Sequence, residues 1–280
     1  MNFSILDWNI QGTRYYTSTS LAEVTPDLEK SGADIFCLQE AQEVREKRPG
    51  FIEQQKLNCI FSEDKENRNV ILSKFPIIAS GELAFPPFKD PKDSQNSSFI
   101  KTVWSNIKYF LPPYTGLAPE KALWADIKIS SEVIRIYNCH FEIVGVGPKE
   151  RVNQLKLVMA DAKSHRGPVI ICGDFNTTIP AAGFGRKFIQ LFHLESNRSL
   201  VVDEKRSPDD ERYTIVKVAE EAGFYDALDI TKSTWCIMPF KWEIFSLKLD
   251  WFLVRGLKMP QITLGEYISD HRSVLAKFLI

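Results

Sequence analysis

Short apolar runs that end on acids, amides and imidazoles set the pattern of this chain. Runs rich in Ile, Val, Phe and Leu, bounded by polar or glycine turns, predict strands over Phe3 to Ile10, Asp34 to Glu40, Val70 to Ser73 and Leu123 to Ile129. The same signal predicts strands over Val133 to Phe141, Val169 to Asp174, Leu249 to Val254 and Val274 to Phe278. Several of these runs are apolar on both faces, as in strands covered on each side. Alternation along the first places Phe3, Ile5, Asp7 and Asn9 on one face, with Asn9 last before the chain turns at Gln11 and Gly12.

Helical spacing fits between the strands. One helix is expected over Leu21 to Lys30, with Gly32 past its end, and a longer one from Lys149 to Ser164, where Val152, Leu155, Met159 and Ala162 recur and Pro148 suits the first turn. Gly185 to Phe192 and Thr214 to Ala222, the latter stopped by Gly223, are further expected helices. The stretch Phe85 to Ala122 breaks the rhythm with repeated prolines among Phe88, Phe99, Trp104, Tyr109, Phe110 and Tyr114. It reads as a binding loop or lid, or as a short amphipathic helix over Phe99 to Leu111 that seals one end of the core. Asp203 to Arg212 mixes charge signs and reads as a solvated loop.

Composition then narrows the class. With 280 residues, 44% of them hydrophobic and 25% charged, the chain can bury a sizeable core, and no linker divides it, so a single domain over 1–280 is expected. The net charge of -1 lacks the basic excess of proteins that grip nucleic acid mainly through phosphates. The 35 Lys and Arg still allow a local basic rim. Five cysteines without a Cys-x-x-Cys pair read as buried free thiols in a reducing compartment rather than as a zinc cage. No apolar run approaches the length of a membrane span and no signal segment opens the chain, so a cytoplasmic location is expected.

Taken singly, the polar residues at the strand ends have plain structural explanations. Asn9 could satisfy a turn, Glu40 a cap and Asp174 a bend; Asp250 could be an ion-pair partner, His140 a satisfied core histidine, and Ser269-Asp270-His271 a loop. Their conjunction is harder to dismiss. Each uncompensated buried polar group costs about 1 to 3 kcal/mol, so a cluster of them calls for partners, and a hard cation serves many at once.

Asn9 after the first strand, Gln39-Glu40 after another, Gly173-Asp174-Phe175-Asn176 after Val-Ile-Ile-Cys, and Ser269-Asp270-His271 before the last strand occur in that order. In this the chain resembles the endonuclease/exonuclease/phosphatase superfamily, the group of deoxyribonuclease I, abasic-site endonucleases, neutral sphingomyelinases and inositol polyphosphate 5-phosphatases. The resemblance implies an α/β (α+β) fold, a four-layer sandwich of two mostly antiparallel sheets flanked by helices. It implies Asn9, Glu40 and Asp270 as a site for Mg²⁺ or Mn²⁺, which favour oxygen ligands. It implies Asp174 as the acid that orients or deprotonates water, and Asn176 as a phosphate contact. By the same resemblance His271 is the principal histidine, Asp250 the acid that orients it, and His140 the second histidine.

Abasic endonucleases usually carry Tyr where this chain has His140, so the resemblance favours the two-histidine branches. Asn69 before Val-Ile-Leu-Ser-Lys-Phe-Pro matches another recurring segment, with Arg68 in place of a common Gly. The activity implied is hydrolysis of a phosphate ester, most simply a diester, in a nucleic acid, phospholipid or inositol phosphate. A catalytically inactive binding or scaffold protein that keeps the fold is the competing class.

Overall fold

The computed structural model describes residues 2–10, 21–41, 44, 49–63, 69–86, 121–141, 148–177, 211–229, 231–237 and 242–279. In chain order its elements begin with β1 (Asn2–Asn9), α1 (Leu21–Ser31), β2 (Ile35–Gln39), α2 (Pro49–Gln54), β3 (Asn58–Phe61), β4 (Val70–Ser73) and β5 (Ile77–Ala84). They continue with β6 (Lys121–Ile129), β7 (Glu132–His140), α3 (Pro148–Ala162), β8 (Val169–Asp174), α4 (Glu211–Glu221) and β9 (Tyr225–Asp226). The last are β10 (Trp235–Ile237), β11 (Trp242–Leu247), β12 (Asp250–Arg255), β13 (Gln261–Tyr267) and β14 (Arg272–Leu279).

Two six-stranded sheets result, one ordered β13-β14-β1-β2-β4-β3 and the other β5-β6-β7-β8-β12-β9, while β10 and β11 form a separate pair. Each large sheet has one parallel pair at its centre, β1 with β2 and β7 with β8, and antiparallel neighbours elsewhere. That arrangement gathers chain ends. The carboxyl ends of β1 and β2 lie together, those of β7 and β8 lie together, and the antiparallel strands β12 and β14 begin where their neighbours finish.

Alternate residues of the central strands face the other sheet. Phe3, Ile5, Ile35, Cys37, Ile71, Ile136, Ile170, Phe252 and Phe278 form one buried cluster between the sheets. The opposite faces are equally apolar. Leu6, Trp8, Phe36 and Leu38 pack with Val24 and Leu28 of α1, whereas Ile171, Trp251 and Leu253 pack with Leu155 and Met159 of α3 and Ile215 of α4. The order is therefore helices, sheet, sheet, helices, the four layers expected. Each fully buried side chain of the Ile or Phe class stabilises by roughly 1.5–3 kcal/mol. Three such clusters outweigh the cost of a few polar groups at one end of the inter-sheet layer.

The eight expected strands are all present, Val70–Ser73 and Val169–Asp174 with the expected bounds. Strands β3, β5 and β13 carry no continuous apolar run, because they lie at sheet edges and are largely half-buried or exposed. The short strand β9 and the β10–β11 pair were likewise not expected. Helices over Leu21 to Lys30 and Lys149 to Ser164 are found within two residues of the expected bounds, with Gly32 at φ 63° just past the first.

Two expectations are corrected. Glu211 and Arg212, read as part of a solvated loop, open α4, and Glu211 is buried against an arginine. Four cysteines, Cys37, Cys139, Cys172 and Cys236, are buried and free, but Cys59 is exposed on the edge strand β3. The expected helix Gly185 to Phe192, nearly all of Phe85 to Ala122, and Asp203 to Asp210 lie outside the described residues. Among the described residues no helix is long and apolar enough to cross a membrane.

The arginine that meets Glu211 is Arg151 of α3, and both side chains are fully buried. Its Nε donates to Oε1 at 2.6 Å and its Nη2 to Oε2 at 2.8 Å, so the fork joins α3 to α4. Removing one partner breaks a buried, bidentate pair, which costs about 3–5 kcal/mol. Glu211→Ala should lower the unfolding free energy by that amount in a denaturant titration. A loss under about 1 kcal/mol would show that the pair does not hold the helix layer.

Candidate active site

The inter-sheet faces of the central strands change character toward one end. On β1 the run Phe3, Ile5 continues into Asp7 and Asn9; on β2, Ile35 and Cys37 lead to Gln39; on β7, Ile134 and Ile136 lead to Asn138 and His140. Ile170 and Cys172 lead to Asp174 on β8, and Asp250 begins β12, paired with Asp174. The polar ends converge because the parallel pairs finish together. Six of the eight residues expected to form the site are tied to one another or to their flanking backbone by the contacts below, Asp270 is held by Trp235, and the eighth, Glu40, acts on Asp270 through its charge.

Asp174 is the hub. It is 2% exposed and its Oδ2 accepts from Asn9 Nδ2 at 3.0 Å, across the gap between the sheets. Its Oδ1 accepts from the backbone N–H of Asn176 at 2.8 Å. Two imidazoles flank the carboxylate, His271 Nε2 at 3.6 Å and His140 Nε2 at 3.7 Å from Oδ2. The backbone bends here: Gly173 has φ 129° and a Cβ on it would stand 1.9 Å from the Cys139 carbonyl oxygen, so no other residue fits. Asn176, at φ 51°, turns its amide back to donate to the Phe141 carbonyl at 2.8 Å.

Behind His271 stands Asp250. Its Oδ2 is 2.9 Å from His271 Nδ1, which fixes Nδ1 as the donor and leaves Nε2 toward Asp174. Burial alone would weaken the imidazole's hold on a proton. The carboxylates of Asp250, Asp174 and Asp270 overcome that and raise it well above the ordinary histidine range.

Glu40 follows β2 at φ 53°, a left-handed turn that ends the strand. It lies close enough to Asp270 for the two charges to interact. Burial, reinforced by Glu40 and Asp174 and opposed by His271 and Trp235, lifts Asp270 to about 6. Its Oδ2 accepts from Trp235 Nε1 at 2.9 Å, while its buried Oδ1 has no hydrogen-bond partner. A shielded carboxylate oxygen without a donor, within the field of a second carboxylate, is the environment a hard cation relieves. Among the described residues no three His, Cys, Asp or Glu side chains gather as a metal cage. A cation here would rest on the two carboxylates, the Asn9 side-chain amide oxygen and water.

A floor of polar residues beneath these groups was assigned no role from the sequence. Gln39 donates from Nε2 to Asp7 Oδ1 at 2.8 Å and to Asn138 Oδ1 at 2.7 Å. Asn138 in turn donates to the Leu38 and Val70 carbonyls at 2.9 Å, binding one sheet to the other. Asn69, noted only as part of a recurring segment, donates to the Lys121 carbonyl at 3.1 Å and so acts as a clasp. Asp7, Asn138 and Gln39 carried a signal: each precedes a site residue by one or two positions on a strand otherwise apolar. Trp8 and Trp235 carried none. Trp8 Nε1 donates to Ser269 Oγ at 3.1 Å and the His271 carbonyl at 3.0 Å, holding the Ser-Asp-His turn on β1.

The Endonuclease/Exonuclease/phosphatase family matches residues 8–271. Among solved structures, truncated Caenorhabditis elegans TDP2 is similar at 17% identity and TM-score 0.61, over 100% of this chain and 98% of that one. ANGEL2, a 2′,3′-cyclic phosphatase, is similar at 15% identity and TM-score 0.62, over 99% and 95%. D. rerio TDP2 complexed with single strand DNA product is similar at 17% identity and TM-score 0.59, over 100% and 99%. At these identities the likeness is one of fold. No curated protein matches the chain.

The floor generates a pH dependence. Burial, then the Asp250 and Asp174 carboxylates, push Asp7 well above the usual carboxylate range, against the opposing pull of Gln39 and His271. The folded chain thus keeps a proton that the unfolded chain releases above about pH 4. Stability from this group is present below that pH and declines as pH rises toward the folded pKa. Asp7→Asn keeps the acceptor for Gln39 and cannot ionise. Its denaturation midpoint relative to the native chain should therefore climb between pH 4 and pH 8, and a difference that is flat with pH would refute the assignment.

Proposed function

Because the chain belongs to the Endonuclease/Exonuclease/phosphatase family, we propose that it is a divalent-metal-dependent phosphoesterase that hydrolyses a phosphodiester by in-line attack of an activated water. The observation that carries this reading is the placement of Asp174 Oδ2 between two imidazoles, with Asp250 behind one of them. A carboxylate held by Asn9 and the Asn176 N–H is oriented to accept a proton from water as that water attacks phosphorus. His271, kept protonated by its carboxylate neighbours, offers Nε2–H to the charge that builds on the phosphoryl oxygens.

His140, on the other side of Asp174 and partly exposed, is placed to contact a second phosphoryl oxygen or protonate the leaving group. One N–H of the Asn176 amide is committed to Phe141, which aims the other as a phosphate contact. Glu40, Asp270 and the Asn9 side-chain amide oxygen would hold the Mg²⁺ or Mn²⁺, and the bound ion would supply Lewis-acid neutralisation of the phosphate charge.

One similar structure is a TDP2 with single strand DNA product, and another is ANGEL2, a 2′,3′-cyclic phosphatase. They favour nucleic-acid phosphates over phospholipid or inositol phosphate as the first substrates to test. The Pro-rich and aromatic stretch at 85–122 is read as an insertion in one catalytic domain. An inactive scaffold would have little reason to keep Asp174, Asp250 and both histidines in mutual register.

Hydrolysis of single-stranded DNA, RNA and a chromogenic phosphodiester should require added Mg²⁺ or Mn²⁺ and stop with EDTA. Asp174→Ala and His271→Ala should each lower kcat by about 10²–10⁴-fold, the range of a lost acid–base group, with unchanged circular dichroism. Near-normal turnover in both variants would remove the mechanism.

A further inference from the structure

Asp250 and His271 come from separate segments, the start of β12 and the turn before β14, and a third segment touches both. The Thr234 carbonyl accepts from the Arg272 N–H at 2.8 Å, and the Cys236 N–H donates to the Asp270 carbonyl at 2.9 Å. Residues 234–236 therefore run antiparallel beside 270–272, with Trp235 bridged to His271. On its other side the same stretch meets β12. Thr234 Oγ1 accepts from the backbone N–H groups of both Leu249 and Asp250, each at 3.0 Å.

Those two bonds occupy both lone pairs of the hydroxyl and leave its hydrogen to donate. The Asp250 carboxyl lies near it, with Oδ1 buried and without a hydrogen-bond partner. Burial pushes that carboxyl up, and the His271 contact and the Thr234 hydroxyl oppose the push. Thr234 is wholly buried, so water cannot replace what the hydroxyl does.

We propose that Thr234 is a positioning residue for the Asp250–His271 pair: its hydroxyl pins the start of β12 to the 234–236 stretch, which is itself paired with the turn that carries His271, and so sets the Asp250 carboxylate against Nδ1. The proposal rests on the phosphoesterase reading for its kinetic consequence, but not for its structural one. Thr234→Val keeps the shape and deletes the hydroxyl; Thr234→Ser keeps the hydroxyl and deletes a methyl.

Two measurements test it. The first is the proton spectrum of the chain labelled with ¹⁵N-histidine, in which the low-field Nδ1–H signal of His271 is assigned by its loss in His271→Ala. That signal should persist in Thr234→Ser and be shifted or lost in Thr234→Val, and an unshifted signal in folded Thr234→Val overturns the proposal. The second is hydrolysis of a chromogenic phosphodiester with Mg²⁺. Thr234→Val should lower kcat by about 10–100-fold, the scale of a small misplacement of a reacting group, with little change in KM. Thr234→Ser should restore most of it.

Adding Thr234→Val to Asp250→Ala should cost nothing more, because the hydroxyl acts through Asp250; a full additive loss, as a general folding defect would produce, overturns the proposal. If the native chain hydrolyses no phosphate ester, or His271→Ala hydrolyses as well as it does, the phosphoesterase reading fails. The histidine signal then decides the role of Thr234 by itself.

Discussion

A carboxylate buried between two sheets has to be met by donors, and Asp174 is met from both. Asn9 reaches it from one sheet, the Asn176 N–H from its own strand's continuation, and two imidazoles stand within 4 Å. Without these the charge would be stranded at 2% exposure, where an unpaired carboxylate is far more costly than any single apolar contact gains. The sheets cannot slide relative to each other without breaking this arrangement. The constraint that makes the site thus also ties the two sheets together at this end.

The apolar and polar ends of the inter-sheet layer divide the work. Ile, Phe and Val on alternate positions drive the sheets together, a non-directional effect that tolerates small shifts. Gln39, Asn138 and Asn69, by contrast, join particular donors to particular acceptors across the layer and admit one alignment only. Fully buried amides of this kind sit just beneath the groups whose placement matters most. At Asp270 a buried carboxylate oxygen without a donor feels the charge of Glu40 as well, a tension that suits a cation.

Much of this was legible from the chain because the central strands are covered on both faces. Their residues form continuous apolar runs, so a single Asp, Asn or His at the end of one stands out, as at Asn9, His140, Asp174 and Asp250. Edge strands leave no such mark. Strands β3, β5 and β13 face water along much of their length and follow no apolar run, and Glu211 looked like one more surface charge until α3 brought Arg151 to it.

The sequence by itself determined the strands of the centre, the side on which Asp7, Asn9, Asn138, His140, Asp174 and Asp250 project, and the residue types available for phosphate and metal chemistry. Strand alternation and helical spacing are local properties, readable within a few residues. Tertiary structure alone decided that Thr234 joins Asp250 to the turn bearing His271, that Trp235 holds Asp270, and that Trp8 anchors Ser269. These bonds link residues 16, 35 and 261 positions apart. A hydrogen bond between such distant groups depends on where the folded backbone carries them and leaves no periodicity in the chain to be read.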